Sequence, residues 1–420
     1  MKKPVFHFSV CLLLIFAAPI LTAQTPPAVN LADVVSLTLT ENPSLKALGY
    51  QMQIQDAREL QASIKPRPEL VVQIENILGT GENQFLDAMQ TTVSIAWVLE
   101  RGVRERQVAA AEAGRSLVSA EIAIARLDVA AETARRYLEC LYLQTRIINA
   151  QGGISLAEDA VAAIERRVDA GSAFNAELAR ARAELARREL VQEDIEHELL
   201  SAYYRLSAQW GESEPGFTRV MGDFFSRPEI ESFETLQSRL ADNPDLSKFL
   251  SQQRLQEAQL RLAEAQNRQP WQLSAGVRRL EITSDQAFVA DFTMPLGKSN
   301  SNRGKVEEAR TNMAITELEE AAERVRLETE LFVIYQELQH SIQLSAALRD
   351  NIIPLYEEAL NETQSAYEVG RYSYLALEAA QSDLLAARYD LIDASRGIFH
   401  NLIEIERITG IQVEIPQLSR

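Results

Sequence analysis

The 420-residue sequence is poor in the residues that break or bend a chain: it holds 17 Gly and 14 Pro. Both are below average usage, which excludes a collagen-like or low-complexity disordered chain. Two cysteines cannot build a disulfide framework. Positive charge is the scarcer sign, with 42 Lys+Arg against 60 Asp+Glu and a net charge of −18. A binder of polyanions carries the opposite balance, so no nucleic acid is expected as partner. The acidic excess suits cations, or simply solubility. Beyond the first segment no run approaches 18 consecutive apolar residues, so no transmembrane helix is expected. Gly-rich phosphate loops, nucleophile elbows and carboxylate pairs suited to catalysis are missing too. The sequence therefore predicts no catalytic residue, no cofactor and no enzyme.

The first segment reads as an address. Lys2 and Lys3 give a basic start, Val10 to Ala18 an apolar stretch, and Leu21-Thr22-Ala23 a cleavage site. Residues 1–23 are expected to be a secretory signal peptide. Cys11 lies inside its core, far from the cleavage site, and so offers no lipid anchor. Removal would take two lysines and move the net charge from −18 to −20, leaving Cys140 as a small apolar residue.

Proline is absent between Pro68 and Pro215 and between Pro295 and Pro354. Inside the first interval Leu117, Ala120, Ile124, Leu127, Ala131, Ala134, Leu138 and Leu141 alternate spacings of 3 and 4, the seam of a coiled coil. The same spacing runs from Leu377 through Ala380, Leu384, Ala387, Leu391, Ala394, Ile398, Asn401 and Ile405 to Ile408. Asn401 alone is polar, and a polar seam residue fixes register at some cost in stability. A helix over residues 102–167 would be about 100 Å long at 1.5 Å per residue. That length implies a rod or a tube.

Two islands read as strands. Residues 69–77 and 91–99 surround a Gly79-Thr80-Gly81 turn, and 271–282 and 287–294 meet near Thr283-Ser284-Asp285. Apolar and polar residues alternate in them: Phe288, Ala290, Phe292 and Met294 share one face, Asp291 and Thr293 the other. Each is about the 9–11 residues that a tilted membrane strand needs. Alternation alone fits equally two hairpins packed on a soluble core.

The chain repeats itself. Leu39 to Pro43 (LTENP) returns as Leu240 to Pro244 (LADNP), each ahead of a Gln-rich helix, a proline (Pro68, Pro270), a hairpin, a glycine (Gly102, Gly304) and a long helix interrupted by a second glycine (Gly171, Gly370). The expected order is signal peptide 1–23, helix 24–66, β-hairpin 67–100, long helical hairpin 101–210, irregular linker 211–240, helix 241–269, β-hairpin 270–297, long helical hairpin 298–410 and tail 411–420. Four strands with open edges cannot stand alone in lipid, because unpaired backbone groups cost several kcal/mol each. If the hairpins are in a membrane, several copies must share one closed barrel.

These residues resemble the TolC-type outer-membrane efflux proteins over almost the whole chain. The resemblance rests on Leu31 to Pro43 with Pro66-Arg67-Pro68, on the duplication, and on Arg167 to Gly171 with Glu177-Leu178. Tyr367 to Gly370 with Leu377, and Ile408-Thr409-Gly410, carry it further. Glu75-Asn76, Leu78 to Gly81, Leu99 to Gly102, Pro295-Leu296 and Asn302 to Gly304 look most like the cation-efflux branch, which serves cobalt–zinc–cadmium or copper–silver pumps. The resemblance implies a mainly α fold with a β membrane part: a homotrimer whose 12-stranded outer-membrane barrel continues into a periplasmic α-helical barrel. The implied partners are a periplasmic adaptor (membrane fusion) protein, an inner-membrane proton-driven RND-type pump and outer-membrane lipid, in a Gram-negative cell. The implied function is a passive channel for heavy-metal cations. The same fold serving multidrug efflux or type I protein secretion, and a soluble periplasmic coiled-coil scaffold, are the alternatives.

By that analogy Ala170, Gly171, Ser172, Val369, Gly370 and Arg371 form adaptor-docking tips where each long helix reverses. Glu177, Glu184, Glu378 and Asp383 follow the tips at matching places and are candidates to line a narrow cation-attracting end. A solvated face paired with Arg180, Arg182 and Arg187 is the plainer reading. Arg371 and Tyr372 are candidates to latch the second tip. Trp97 and Trp271 lie towards strand ends, where barrels place aromatic girdles. His197, His340 and His400 lack partners at metal-ligating spacing, so no metal site is expected.

Overall fold

A computed structural model describes residues 28–81, 86–296 and 302–410. The expected signal peptide and the 411–420 tail lie outside the described residues. In each repeat a short helical segment leads through an Asn-Pro step into a longer helix, then a β-hairpin, then a long helical hairpin. The first repeat holds α1 (Leu31–Glu41), α2 (Pro43–Ser63), β1 (Glu69–Glu75), β2 (Gln90–Leu99), α3 (Val103–Asp169) and α4 (Asn175–Ser207). The second holds α5 (Phe233–Arg239), α6 (Pro244–Gln266), β3 (Trp271–Leu280), β4 (Asp285–Thr293), α7 (Arg303–Ala347), α8 (Ile353–Glu368) and α9 (Tyr374–Thr409).

The 67-residue α3 is the spine, about 100 Å long at 1.5 Å per residue. It contacts α4, α6, α2, α9 and α1. Small residues let neighbours come close: Ala130, Ala131, Ala134, Ala150, Ala157, Ala160 and Ala163 are all buried along it. At Gly153 a Cβ would lie 3.2 Å from Leu385 of α9. The C-terminal seam is buried at Leu377, Leu384, Ala387, Ala394, Ile398, Asn401, Ile405 and Ile408, with Ala380 and Leu391 packed against it.

The duplicated Asn-Pro step has one physical job in both repeats. Asn42 caps α2 by accepting from the Ser44 and Leu45 amides, and its Nδ2 donates to the Gln209 carbonyl at 2.7 Å. Asn243 caps α6 by accepting from the Asp245 amide while its Nδ2 donates to the Ile408 carbonyl. Each following proline sits at the first helical turn, where its missing N–H costs nothing. A glycine closes each contact. Gly211 (φ +88°) faces Pro43, and Gly410 (φ +73°) faces Pro244, whose Cδ would lie 2.8 Å from an added Cβ. Every repeat thus ties the start of α2 or α6 to the end of its own helical hairpin.

The structure departs from the sequence expectation in three places. The 24–66 helix is two helices, broken at Asn42-Pro43, because proline disfavours helical backbone in the residue before it. The 211–240 segment is not irregular throughout: it contains α5, capped by Ser232, whose hydroxyl accepts from the Thr235 amide. Its earlier part is stapled to α3, with Phe217, Val220 and Phe224 buried and the Tyr137 hydroxyl bonded to Val29 and Met221. The first arm of the 298–410 helical hairpin is also not uniform. A π turn at Leu348–Ile352 precedes Pro354, which cannot donate to the carbonyl one turn back.

Asn243→Ala removes a cap and leaves the Ile408 carbonyl without its partner. It should cost about 2 kcal/mol, read as a lowered unfolding midpoint in denaturant, and Gly410→Ala should do the same through backbone strain.

Candidate functional site

The four strands form one antiparallel sheet in the order β1-β2-β3-β4. The repeats join through β2 and β3, paired from Gln90↔Leu280 to Leu99↔Trp271. Gly276 permits this close approach, since an added Cβ would lie 2.3 Å from the Val93 carbonyl oxygen. The register sorts side chains onto two unlike faces. One carries Leu70, Val72 and Ile74 beside Val93 and Ile95, then Leu273 and Val277, then Phe288 and Phe292. All nine are exposed, Phe288 by 94%. The other face carries Gln73, Glu75, Thr92, Ser94, Ser274, Arg278 and Asp291. There Arg278 donates to Thr92 Oγ1 at 2.9 Å and lies 3.4 Å from Glu75, and Ser274 donates to Asp291. A sheet that is apolar on one face and hydrogen-bonded and polar on the other suits lipid on the first and water on the second. Among the described residues its outer strands, β1 and β4, each have one unpaired edge.

Trp97 pairs with Leu273 and Trp271 with Leu99, so both tryptophans lie at the end of the sheet where the helices begin. Trp271 packs edge-on against Phe292, with centroids 5.6 Å apart, and Arg101 stacks over it at 4.5 Å.

At the opposite end the helices reverse at two equivalent tips. The Gly171 amide donates to Val168 and the Ser172 amide to Arg167; the Gly370 amide donates to Tyr367 and the Arg371 amide to Ala366. Both are Schellman caps, with Gly171 at φ +71° and Gly370 at φ +77° supplying the left-handed residue. Ala170, Gly171, Ser172, Val369, Gly370 and Arg371 are all exposed. Phe174 (77% exposed) and Leu375 (60%) add apolar surface beside them. Sequence reasoning missed that pair, although a large apolar residue just after a capping glycine was its signal.

The tips are joined by Arg167. Its Nη1 donates to the Tyr367 carbonyl at 2.8 Å, its Nη2 to the Ser172 carbonyl at 3.2 Å, and its guanidinium stacks on the Tyr367 ring at 4.5 Å. Arg371 and Tyr372 instead stand exposed at the second tip. The Tyr367 hydroxyl is buried without a partner at hydrogen-bonding geometry. Burial raises its pKa, the Arg167 charge opposes that, and Glu177 adds to it.

The four candidate acids are placed differently. Glu184 is held by Arg187 at 2.8 Å and Arg188 at 2.9 Å, and Arg188, itself buried, donates to the Gly153 carbonyl at 2.8 Å. These hydrogen bonds, led by Arg187, hold the Glu184 carboxyl below the usual range. It is neutralised as a tie between α4 and α3. Glu177 and Glu378 are half-buried and Asp383 is exposed. Glu378 acts on Arg187 and on Tyr374, whose hydroxyl burial pushes up to about 12. The structure thus brings Glu184 and Glu378 into one cluster with Arg187 and Arg188.

Among the described residues no group of three or more His, Cys, Asp or Glu is placed to hold a metal. His197, His340 and His400 are exposed. Cys140 is fully buried on α3, and burial pushes its thiol up, away from the reactive thiolate. No helix among the described residues is long and apolar enough to cross a membrane.

Two predictions follow from the tip region. Arg167→Ala removes charge-assisted bonds worth about 1.5–3 kcal/mol, so hydrogen exchange over residues 366–374 should accelerate about tenfold or more, with Arg167→Lys intermediate. Glu184→Gln should destabilise the protein at neutral pH. Because the Glu184 carboxyl is depressed, the wild-type advantage should be full above about pH 4.5 and vanish as pH falls further.

The comparisons with known proteins agree with this geometry. The chain is 25% identical over 392 residues to the cobalt-zinc-cadmium resistance protein CzcC of Cupriavidus metallidurans, covering 93% of this chain and 92% of that one. It is 27% identical over 314 residues to the nickel and cobalt resistance protein CnrC of the same organism, covering 73% and 71%. The crystal structure of the outer membrane protein VceC from Vibrio cholerae superposes with a TM-score of 0.68 at 18% identity, over 91% of this chain and 97% of that one. The fold is therefore that of the TolC-type channels. The family model described as outer membrane efflux protein matches residues 34–212 and 235–411, and the chain belongs to that family.

Proposed function

We propose that three copies of this chain form a passive outer-membrane channel that exports heavy-metal cations from a Gram-negative cell. The observation that carries the reading is the two-faced sheet with open edges. Lipid tolerates an apolar face but not unpaired backbone, so β1 of one copy pairs with β4 of the next. Three copies of four strands give a closed barrel of 12, and the long helical hairpins continue it as a tube into the periplasm. The exposed tips, with Phe174, Val369 and Leu375, meet a periplasmic adaptor, and an inner-membrane RND-type pump supplies the energy. Likeness to a cobalt-zinc-cadmium and to a nickel and cobalt resistance protein, over most of the chain, supports metal cations as cargo.

Glu177 and Glu378, with Asp383, line the narrow end and favour cations there. Glu184, neutralised by Arg187 and Arg188, is left out of that ring. Arg371 and Tyr372, exposed at the second tip, are placed to contact a neighbouring copy or the adaptor.

Deleting the gene should lower tolerance to cobalt, zinc, cadmium or nickel and leave drug tolerance unchanged; lost drug tolerance with intact metal tolerance would overturn the cargo. In planar bilayers the purified protein should give cation-selective steps. Glu177→Ala combined with Glu378→Ala should reduce that selectivity, and unchanged selectivity would remove both residues from the constriction.

A further inference from the structure

The end of the sheet nearest the helices carries a concentration of positive charge that the efflux reading does not use. Arg101 lies two residues past the end of β2, and Arg268 three residues before Trp271 of β3. With Arg106 of α3 and Arg261 of α6 they line a cleft of about 450 Å³, four arginines against Glu105 and Glu264, with Arg261 also paired to Glu257 at 3.3 Å, in a chain whose net charge is −18. Arg101, Arg106, Arg261 and Arg268 are all exposed. Among the described residues neither Arg106 nor Arg268 has a carboxylate at ion-pair distance. A second cleft of about 380 Å³ adjoins the first. Trp97, Leu99 and Leu273 line it together with Lys65, Arg101 and Arg104 and with Glu100 and Glu105, Arg104 lying 3.4 Å from Glu105.

From these two clefts we infer that this rim binds the phosphate of an anionic phospholipid, with the glycerol and upper acyl chain against Trp97, Leu99 and Leu273. The order of surfaces is what selects a lipid. The exposed apolar face ends in two tryptophans, one stacked under Arg101, and the free guanidinium groups begin immediately beyond. Tryptophan prefers the headgroup level, and basic pockets at that level capture lipid phosphates. Guanidinium matches a phosphate with paired, charge-assisted bonds. The excess of arginine over glutamate favours a net negative headgroup over a zwitterionic one. An acidic protein partner would not need the apolar wall of the second cleft. On the helical side of the barrel the lipid belongs to the periplasmic leaflet, so the inference rests on the outer-membrane reading.

The test uses the purified, detergent-extracted oligomer with either dioleoyl phosphatidylglycerol or dioleoyl phosphatidylcholine in mixed micelles, bound lipid being counted by native mass spectrometry. Wild type should retain phosphatidylglycerol preferentially. The triple variant Arg106→Gln, Arg261→Gln, Arg268→Gln should lose on the order of a hundredfold of that preference, each arginine contributing about fivefold. A charge-matched control, Arg205→Gln, Arg227→Gln, Arg324→Gln, lies on α4, the linker and α7 and should keep it. Millimolar inorganic phosphate should not displace the lipid. Equal retention by the triple variant, no preference in wild type, or displacement by phosphate alone would each overturn the lipid site. A protein that needs no detergent after export would overturn the outer-membrane reading itself, an outcome distinct from a membrane protein without lipid preference.

Discussion

Unpaired strand edges are the constraint on which the rest of this structure depends. A four-stranded sheet with one apolar face has no stable resting place as a single copy. In water Phe288, Phe292, Leu70 and Ile95 are exposed; in lipid the backbone groups of β1 and β4 lose their partners at several kcal/mol each. In the trimer proposed above, pairing edge to edge between copies would satisfy both demands at once. In the proposed trimer, strand closure would also fix where the helices stand, because β2 ends at Leu99 and α3 starts at Val103.

The long helices meet their own constraint with small residues. α3 presents alanine and glycine where α4 and α9 cross it, so backbones approach closely without strain. Arginine then adds directional ties at intervals: Arg135 to Glu404 at 2.6 Å, Arg407 to Asp245 at 2.7 Å, Arg188 to the Gly153 carbonyl at 2.8 Å and Arg167 to the Tyr367 carbonyl. The Asn-Pro steps lock the middle of the molecule. Asn42 with Gly211, and Asn243 with Gly410, hold the end of each hairpin against the start of its shorter helix. The duplication is thus a duplication of contacts as well as of sequence.

Features that repeat locally were legible in the sequence. The seam from Leu377 to Ile408, the alternation in β4 and the paired Asn-Pro, glycine and proline positions carry the fold in their spacing. Contacts between segments far apart in the chain were not legible. Nothing around Val220 and Met221 announces that Gln144 will bind the first and Tyr137 the second, because a stapled loop has no period. Arg167 sat inside a motif, yet its reach to Tyr367 depends on two helices lying side by side. Glu184 and Glu378 look alike in sequence, and only packing separates a carboxylate neutralised by Arg187 and Arg188 from one half-exposed. The π turn before Pro354 was foreshadowed by the proline but not by any periodicity.

Disulfide trapping across the strand edges tests edge closure most directly. Within one chain β1 and β4 are separated by three strand spacings, about 14 Å, beyond the roughly 4.4–6.8 Å that a disulfide spans between Cα atoms. A panel of chains should therefore carry one cysteine on β1 (Leu70→Cys, Val72→Cys or Ile74→Cys) and one on β4 (Phe288→Cys, Ala290→Cys or Phe292→Cys). Oxidised in the outer membrane, at least one register should give covalent trimers. Chains that stay monomeric across the whole panel, while folded and membrane-bound, would contradict closure of the barrel by neighbouring copies.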